Sequence, residues 1–306
     1  MPQRGPSGWR LWWLGARPRT LPAAIAPVVV GTAGSVGDGG SGDGIGSVIW
    51  WRFACALAVA VFVQVATNYA NDYSDGIRGT DAPGERVGPP RLVGDGLASP
   101  GRVKRAMLVC FGLTVLAGAP LVLLVDWRLA LVGVAAVAAG WFYTGGANPY
   151  GYAGLGELFV FVFFGLVATV GTRFVYDRTI ESGAWVGGVA MGFLASAILL
   201  ANNVRDIDTD RDAGKRTLAV IIGRQPAVLL YALCVLGGVL TAPVGVVFDW
   251  LPAETLLTLL TLPIALRLVR NLQLRRKGPE LIKVLKGTAR LQLIVALLLS
   301  LGIVLP

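Results

Sequence analysis

The sequence has no histidine in 306 residues and only three cysteines. Without histidine, haem ligation by an imidazole, histidine-based zinc sites and a histidine general base are excluded. Cys55, Cys110 and Cys234 lie inside apolar runs and form no CxxC pair, which is typical of small buried side chains. Any chemistry therefore depends on carboxylates, amides, hydroxyls, lysine and arginine.

Charged side chains are also scarce, at 15% of the residues, whereas 55% are apolar. A soluble domain carries about 25% charged residues. Nine apolar runs are long enough to cross about 30 Å of hydrocarbon, counting approximate bounds: 21–36, 48–69, 106–125, 128–145, 154–172, 184–204, 226–247, 252–269 and 288–305. This pattern predicts an all-α polytopic membrane protein with about nine transmembrane helices around one central cavity. We expect a single domain over 1–306, beginning with a cytoplasmic or interfacial segment at 1–20.

The net charge of +9 is distributed unevenly among the connections between these spans. Of the 27 lysines and arginines, 23 lie in the N-terminal segment or in connections on its side of the membrane. An excess of positive residues marks the cytoplasmic side. We therefore expect a protein of the bacterial inner membrane whose N-terminus and second and sixth connections face the cytoplasm. The same distribution explains the net charge without nucleic acid as a partner.

Two of these cytoplasmic connections carry carboxylates and carboxamides at helical spacing. They read NYANDYSDGIRGTD at 68–81 and NNVRDIDTDRDAGKRTLAVIIG at 202–223. At 100° per residue, each places three polar side chains within an arc of about 60°. The two sets are Asn68, Asp72 and Asp75, and Asn203, Asp206 and Asp210. Acids at membrane depth usually mark a functional site, and two facing stripes would line one cavity.

Several carboxylates without histidine or thiolate favour a hard divalent cation, above all Mg²⁺. Mg²⁺ binds proteins through a few carboxylates and completes its coordination with phosphate oxygens of a substrate. Cationic side chains flank both stretches: Arg78, Arg86 and Arg91 beside the first, and Arg205, Lys215, Arg216 and Arg224 beside the second. Carboxylates, metal and cations together indicate a site for a diphosphate.

The two stretches resemble the signature of the UbiA family of intramembrane prenyltransferases. Members of that family have nine transmembrane helices, with the motif N-D-x-x-D-x-x-x-D after the second helix and the motif D-x-x-x-D after the sixth. Here the first motif is NDYSD at 71–75, with the third acid, Asp81, two residues late, and the second is DIDTD at 206–210. Further stretches resemble the 1,4-dihydroxy-2-naphthoate polyprenyltransferases of menaquinone synthesis: ARPRTLPAAIAPVVVGT (16–32), ERVGPPRLV (85–93), YTGGANPYGYAGLGELFVFVFFGLVATVGT (143–172) and DAGKRTLAVIIGR (212–224).

The resemblance implies transfer of a polyprenyl chain from polyprenyl diphosphate to 1,4-dihydroxy-2-naphthoate, with release of diphosphate and CO₂. It assigns Mg²⁺ to four aspartates: Asp72, Asp75, Asp206 and Asp210. Arg78, Arg205, Lys215 and Arg216 are expected to assist at the diphosphate. Four amides are expected to orient the carboxylates or to bind substrate oxygens: Asn68, Asn71, Asn202 and Asn203.

Aromatic and arginine side chains complete the predicted site. Aromatic faces stabilise an allylic cation, and the candidates at span ends are Tyr69, Tyr73, Phe142 and Tyr143. Tyr143 is the first choice, and an interfacial aromatic belt or packing is the alternative for all four. Candidates for pairing with the acceptor carboxylate are Arg17, Arg19, Arg86 and Arg91, for which lipid phosphate is the alternative partner.

Three other activities compete with this interpretation. Another aromatic prenyltransferase of the same family, for example with a 4-hydroxybenzoate acceptor, shares the acidic motifs. An ion or solute transporter places such acids at the membrane midplane, whereas here they lie at span ends. A CDP-alcohol phosphotransferase requires D-G-x₂-A-R-x₈-G-x₃-D-x₃-D, a spacing that this sequence lacks.

Overall fold

The computed structural model describes residues 8–37, 48–80, 90–274 and 280–305, and within these ranges it has no β-strand. Apart from two three-residue 3-10 helices, Pro18–Thr20 and Tyr150–Tyr152, the described residues form twelve helices, labelled α1 to α12. In order they are Trp9–Ala16, Pro22–Gly37, Trp50–Arg78, Pro100–Leu124, Leu129–Phe142, Gly156–Asp177, Ser182–Arg205, Ile207–Asp212, Leu218–Ile222, Arg224–Val247, Ala253–Leu274 and Glu280–Val304. The all-α prediction is confirmed, and Asp81 and Arg86 lie outside the described residues.

Each of the nine predicted spans corresponds to a helix. In the described part of the chain, seven helices are long and apolar enough to cross a membrane, and α1 with α2, bent by 55°, gives an eighth. The ninth, α5, has 14 residues and measures about 21 Å at 1.5 Å per residue, which is short of the hydrocarbon thickness. The chain is therefore a multi-pass membrane protein, and its fourth span is shorter than predicted.

The helix α7 is the centre of the bundle. Of its most apolar 18 residues, 78% are buried inside the protein, against 22% for the peripheral α4. It packs against α2, α10, α12 and the π-helical segment Phe161–Val167 of α6. A Cβ atom on Gly165 would lie 2.3 Å from the Cα of Gly192, so α6 and α7 approach as closely as only small residues permit.

The helix α3 is longer than the predicted span because it continues through the acidic stretch to Arg78. Its 29 residues measure about 43 Å, so the last turns extend beyond an apolar layer of about 30 Å. Arg78 donates to the carbonyls of Thr144 and Gly146 in the connection between α5 and α6. That connection in turn pairs with the one after α8 through a bridge between Ala153 and Arg216. The end of α3 and two connections thus meet at one end of the bundle.

Candidate active site

A cavity of about 1430 Å³ begins among these connections and continues along an apolar wall formed by α3, α4, α5 and α6. Most of the predicted site residues lie on its surface. Those that line it are Arg19, Asn68, Asn71, Asp75, Arg91, Tyr143, Asn202, Asn203, Arg205, Asp206, Asp210 and Lys215. The predicted meeting of the two acidic stretches therefore takes place at one cavity, which has a polar end and a long apolar part.

Asp75 joins the first stretch to the second. Its side chain is buried, and one carboxylate oxygen, Oδ1, accepts a hydrogen bond from the hydroxyl of Tyr152 at 2.7 Å. The other, Oδ2, lies 3.2 Å from Nζ of Lys215, which is 140 residues further along the chain. Burial and the neighbouring Asp75 carboxylate raise the pKa of Tyr152 above its ordinary value.

Asp206 and Asp210 bring the second stretch to the same cavity, and both are buried. Asp206 is the C-cap residue of α7 and forms a two-point pair with Arg205, at 2.7 Å from Nε and 2.6 Å from Nη2. The same Nη2 also donates to the amide oxygen of Asn202 at 2.8 Å. The main-chain carbonyl of Asp210 accepts the N–H of Lys215 at 2.7 Å, which fixes the turn that carries this lysine.

Asp72 is buried but does not line the cavity. Its two carboxylate oxygens accept the main-chain N–H groups of Leu92 and Val93, both at 2.9 Å. The carboxylate therefore holds the segment that carries Arg91, which does line the cavity. In this arrangement Asp72 positions a loop, and its predicted role as a metal ligand stays a prediction.

The predicted amides connect elements around the polar end. Asn68 donates to the carbonyl of Ala16 and to the hydroxyl of Thr20, both at 2.9 Å, and so fixes the bend between α1 and α2. Asn71 accepts a hydrogen bond from the hydroxyl of Thr144 at 2.9 Å. Asn203 donates to Oε1 of the buried Glu157 at 2.8 Å. Each amide thus orients a neighbouring element, as well as lining the cavity.

Tyr143 is the predicted aromatic residue that reaches the cavity. Its ring meets that of Tyr150 edge to face, with centroids 5.5 Å apart. Its carbonyl accepts the N–H of Gly151 at 2.9 Å, and a Cβ atom on Gly151 would lie only 2.5 Å from that oxygen. The glycine-rich connection therefore allows the backbone to fold closely around Tyr143.

Two other predicted tyrosines lie away from the cavity. The hydroxyl of Tyr69 donates to the carbonyl of Trp12 at 2.8 Å, and its ring packs against the same tryptophan. The ring of Tyr73 lies 5.9 Å from Nζ of Lys104. Both therefore hold α1 and α4 against α3, which is the packing alternative considered for them.

Among the predicted cationic residues, Arg78 and Arg216 do not line the cavity. Arg78 is engaged by the connection between α5 and α6 and stacks on the ring of Tyr152, 5.4 Å from its centroid. Arg216 is exposed. Arg17 and Arg19, which follow α1, do line the cavity, as does Arg91.

These features describe a polar, doubly acidic site at the end of an apolar cavity in a membrane protein. The model of the UbiA prenyltransferase family matches residues 25–300. The chain belongs to the UbiA prenyltransferase family.

Individual relatives and a solved structure show how similar the chain is to other members of the UbiA family. The chain is 47% identical over 290 residues to the 1,4-dihydroxy-2-naphthoate octaprenyltransferase of Mycobacterium tuberculosis, with 94% of both chains covered. It is 32% identical over 305 residues to the protein of the same name from Escherichia coli, covering 95% of this chain and 94% of that one. A solved UbiA homolog from Archaeoglobus fulgidus bound to DMAPP and Mg²⁺ has a TM-score of 0.66 at 15% identity, covering 94% of this chain and 99% of that chain, which shows the shared fold.

The acids of this UbiA family member suit a divalent cation by their chemistry. Asp75, Asp206 and Asp210 offer oxygen ligands from both stretches at one cavity. Among the described residues, no three acids, histidines or cysteines are grouped closely enough to hold an ion by themselves. A cation that binds one or two carboxylates and takes its remaining ligands from a phosphate-bearing substrate fits this arrangement.

Tyr152 is a site residue that the sequence interpretation missed. It contacts Asp75, and its hydroxyl also lies 3.1 Å from that of Thr80. The signal was its place in the glycine-rich stretch 143–172, which carried the resemblance to a family. No acid or cation is its neighbour in sequence, so only the folded connection shows the contact.

Proposed function

We propose that this UbiA family member transfers a polyprenyl chain from polyprenyl diphosphate to 1,4-dihydroxy-2-naphthoate, with release of diphosphate and CO₂, to give demethylmenaquinol, the reduced form of demethylmenaquinone. The observation that carries the proposal is the convergence of Asp75, Asp206 and Asp210 at the polar end of a largely apolar cavity. The sequence relatives named 1,4-dihydroxy-2-naphthoate octaprenyltransferase support the choice of acceptor.

The two parts of the cavity match the two parts of the donor. The diphosphate lies at the polar end, where Lys215 and Arg205 supply positive charge. The polyprenyl chain lies along the apolar wall, with residues such as Leu108, Val134 and Phe163. Since a long hydrocarbon chain is costly to hold in water, this arrangement keeps the reacting carbon near the acids while the chain stays apolar.

Mg²⁺ is the cation that we propose, held by Asp75 and Asp210 with Asp206 beside them. When bound, it supplies positive charge that stabilises the departing diphosphate. Lys215 stabilises the same developing charge, and Arg205 holds Asp206 in place through its two-point pair. The solved Archaeoglobus fulgidus homolog holds Mg²⁺ together with DMAPP, a prenyl diphosphate, which supports this choice.

The acceptor ring lies between the diphosphate and Tyr143 in this proposal. The face of Tyr143 stabilises the allylic cation, since aromatic rings attract cations by about 0.5–2 kcal/mol. Arg17, Arg19 and Arg91 line the cavity and are the candidates for pairing with the acceptor carboxylate. An acid site at one end of α3 and α7, away from their centres, does not favour the transporter alternative.

The experiment is prenyl transfer by the purified protein in lipid nanodiscs with Mg²⁺. Octaprenyl diphosphate is offered with equimolar 1,4-dihydroxy-2-naphthoate and 4-hydroxybenzoate, and the prenylated products are identified by mass spectrometry. We expect the decarboxylated, prenylated naphthoquinol alone, which is detected as its quinone after oxidation in air. Transfer to 4-hydroxybenzoate without transfer to the naphthoate would contradict the proposed acceptor.

We also propose that the acidic end of the cavity faces the cytoplasm of a bacterial cell, since 23 of 27 lysines and arginines fall on the side of the N-terminus. Single cysteines at two exposed positions test this in a chain without its natural cysteines. Ser99→Cys, before α4, should react with an impermeant maleimide only after cells are opened, whereas Thr179→Cys, between α6 and α7, should react in intact cells. The reverse pattern would invert the orientation.

A further inference from the structure

Lys215 is the residue that connects the two acidic stretches. Its main-chain N–H donates to the carbonyl of Asp210 at 2.7 Å, and its Nζ lies 3.2 Å from Oδ2 of Asp75. The pair is nearly inaccessible to solvent, with side-chain exposures of 12% for Lys215 and 2% for Asp75. Because a charge at such a site is costly without a partner, this ammonium is the resident counterion of Asp75.

A metal ion that ligates Asp75 must displace the ammonium group of Lys215 from this carboxylate. The other oxygen of Asp75 already accepts the hydroxyl of Tyr152 at 2.7 Å, so both oxygens are engaged. Two positive charges within about 4 Å repel each other strongly where water is scarce. A divalent cation alone therefore competes with Lys215 for Asp75.

A diphosphate changes this balance. Its oxygens give the ammonium of Lys215 a new partner and complete the coordination of the metal at the same time. The ring of Tyr152, whose centroid lies 5.0 Å from Nζ, keeps a second favourable contact with the ammonium as it turns away from Asp75. The flexible four-carbon stem of lysine allows that turn, which a planar guanidinium would restrict.

We propose that Lys215 couples the binding of the divalent cation to the binding of the diphosphate, by neutralising Asp75 until both arrive. This deepens the proposed function because it adds an exchange of partners at the same acids. Coupling between two ligands is reciprocal, so each should raise the affinity of the other by the same factor. The free protein then holds a balanced charge and does not accumulate metal without substrate.

The test is the binding of Mn²⁺ and inorganic diphosphate to the full chain in nanodiscs, each measured with and without the other and corrected for their complex in solution. In the wild type, we expect each to raise the affinity of the other by about 5- to 150-fold, the usual range of coupling. Lys215→Met should bind Mn²⁺ alone more tightly, and its coupling should fall below about threefold.

Lys104→Met is the matched control, since Lys104 also lines the cavity but lies over Tyr73 and not beside Asp75. It removes the same charge and should keep the coupling of the wild type. Coupling that persists in Lys215→Met, or that is lost equally in the control, would overturn the proposal. Absence of coupling in the wild type would overturn it without any variant, so a Lys215→Met protein that does not fold leaves a decisive measurement.

The outcome is independent of the acceptor assignment. Neither ligand contains a prenyl chain or an aromatic ring, so a wrong acceptor would leave this coupling unchanged. Normal transfer to the naphthoate without coupling would refute the proposed role of Lys215 and leave the proposed function unaffected.

Discussion

Asp72 and Asp75 stand three residues apart on α3, in one motif, and both are buried, yet the structure gives them different surroundings. Asp72 faces two main-chain N–H groups of the 91–93 segment, whereas Asp75 faces Tyr152 and Lys215 at the cavity. Asparagine at each position removes a negative charge with almost no change of volume. We expect the two substitutions to fail in different ways.

Asp72→Asn should lower stability. An amide offers one acceptor oxygen and one NH₂ group, so the N–H of either Leu92 or Val93 loses its partner and faces a donor. Loss of a hydrogen bond to a charged group, with a buried donor left unsatisfied, costs about 1.5–3 kcal/mol. The free energy of unfolding should fall by that amount, and the folded fraction should keep nearly the wild-type dependence on Mg²⁺.

Asp75→Asn should lower activity. Its amide oxygen still accepts the hydroxyl of Tyr152, but Lys215 loses its counterion, so a cost in stability accompanies the loss of activity and turnover is compared per folded protein. Removal of one preorganised electrostatic group typically lowers kcat by about 100- to 1000-fold. Half-maximal turnover should also require far more Mg²⁺.

The assay pairs denaturant unfolding in detergent with Mg²⁺ titration of prenyl transfer, normalised to folded protein. If Asp72→Asn has wild-type stability and raises the Mg²⁺ requirement as much as Asp75→Asn does, Asp72 is a metal ligand. The separation of roles within the motif would then be wrong.

The shape of the cavity and its acids support three more tests. Gly151→Ala places a Cβ atom 2.5 Å from the carbonyl of Tyr143 and should lower kcat about 10- to 100-fold by displacing the ring of Tyr143. Gly112→Ala is the control, since an added Cβ atom there meets nothing within 4 Å, and it should retain the wild-type kcat. Gly133→Phe adds a ring to the apolar wall and so takes space from the distal part of a long chain. It should raise KM for octaprenyl diphosphate by about tenfold, with little effect on farnesyl diphosphate. Equal effects on both donors would refute this path for the chain. EDTA should abolish turnover and excess Mg²⁺ should restore it, and turnover that persists in EDTA would refute the metal requirement.

The sequence was sufficient to predict the order of the helices because hydrophobic length is a local property. Nine apolar runs correspond to nine helices, with errors at their ends. The continuation of α3 through Asn71, Asp72 and Asp75 was not visible to hydropathy, since these residues are polar, but their helical spacing predicted it. The length of α5 was overestimated because the connection that follows it begins with an aromatic residue, Tyr143, which continues the apolar run.

The sequence predicted that the two acidic stretches meet, and in the structure Lys215 of the second lies 3.2 Å from Asp75 of the first. It did not separate Asp72 from Asp75, because both fit one helical stripe. What separates them is the 91–93 segment, whose main-chain N–H groups turn toward Asp72. The conformation of such a connection depends on tertiary contacts, and its sequence has no periodicity from which that conformation could be predicted.

The direction of the helices adds a reason for the cations in this site. Asp75 lies in the last turn of α3, and Asp206 caps the C-terminus of α7. Helix C-termini carry partial negative charge, so a carboxylate there is disfavoured and a cation is favoured. Lys215 and Arg205 meet that demand in the free protein. A diphosphate alone would add negative charge to the same end, so we expect this end of the bundle to bind the metal–diphosphate complex more tightly than either ligand alone.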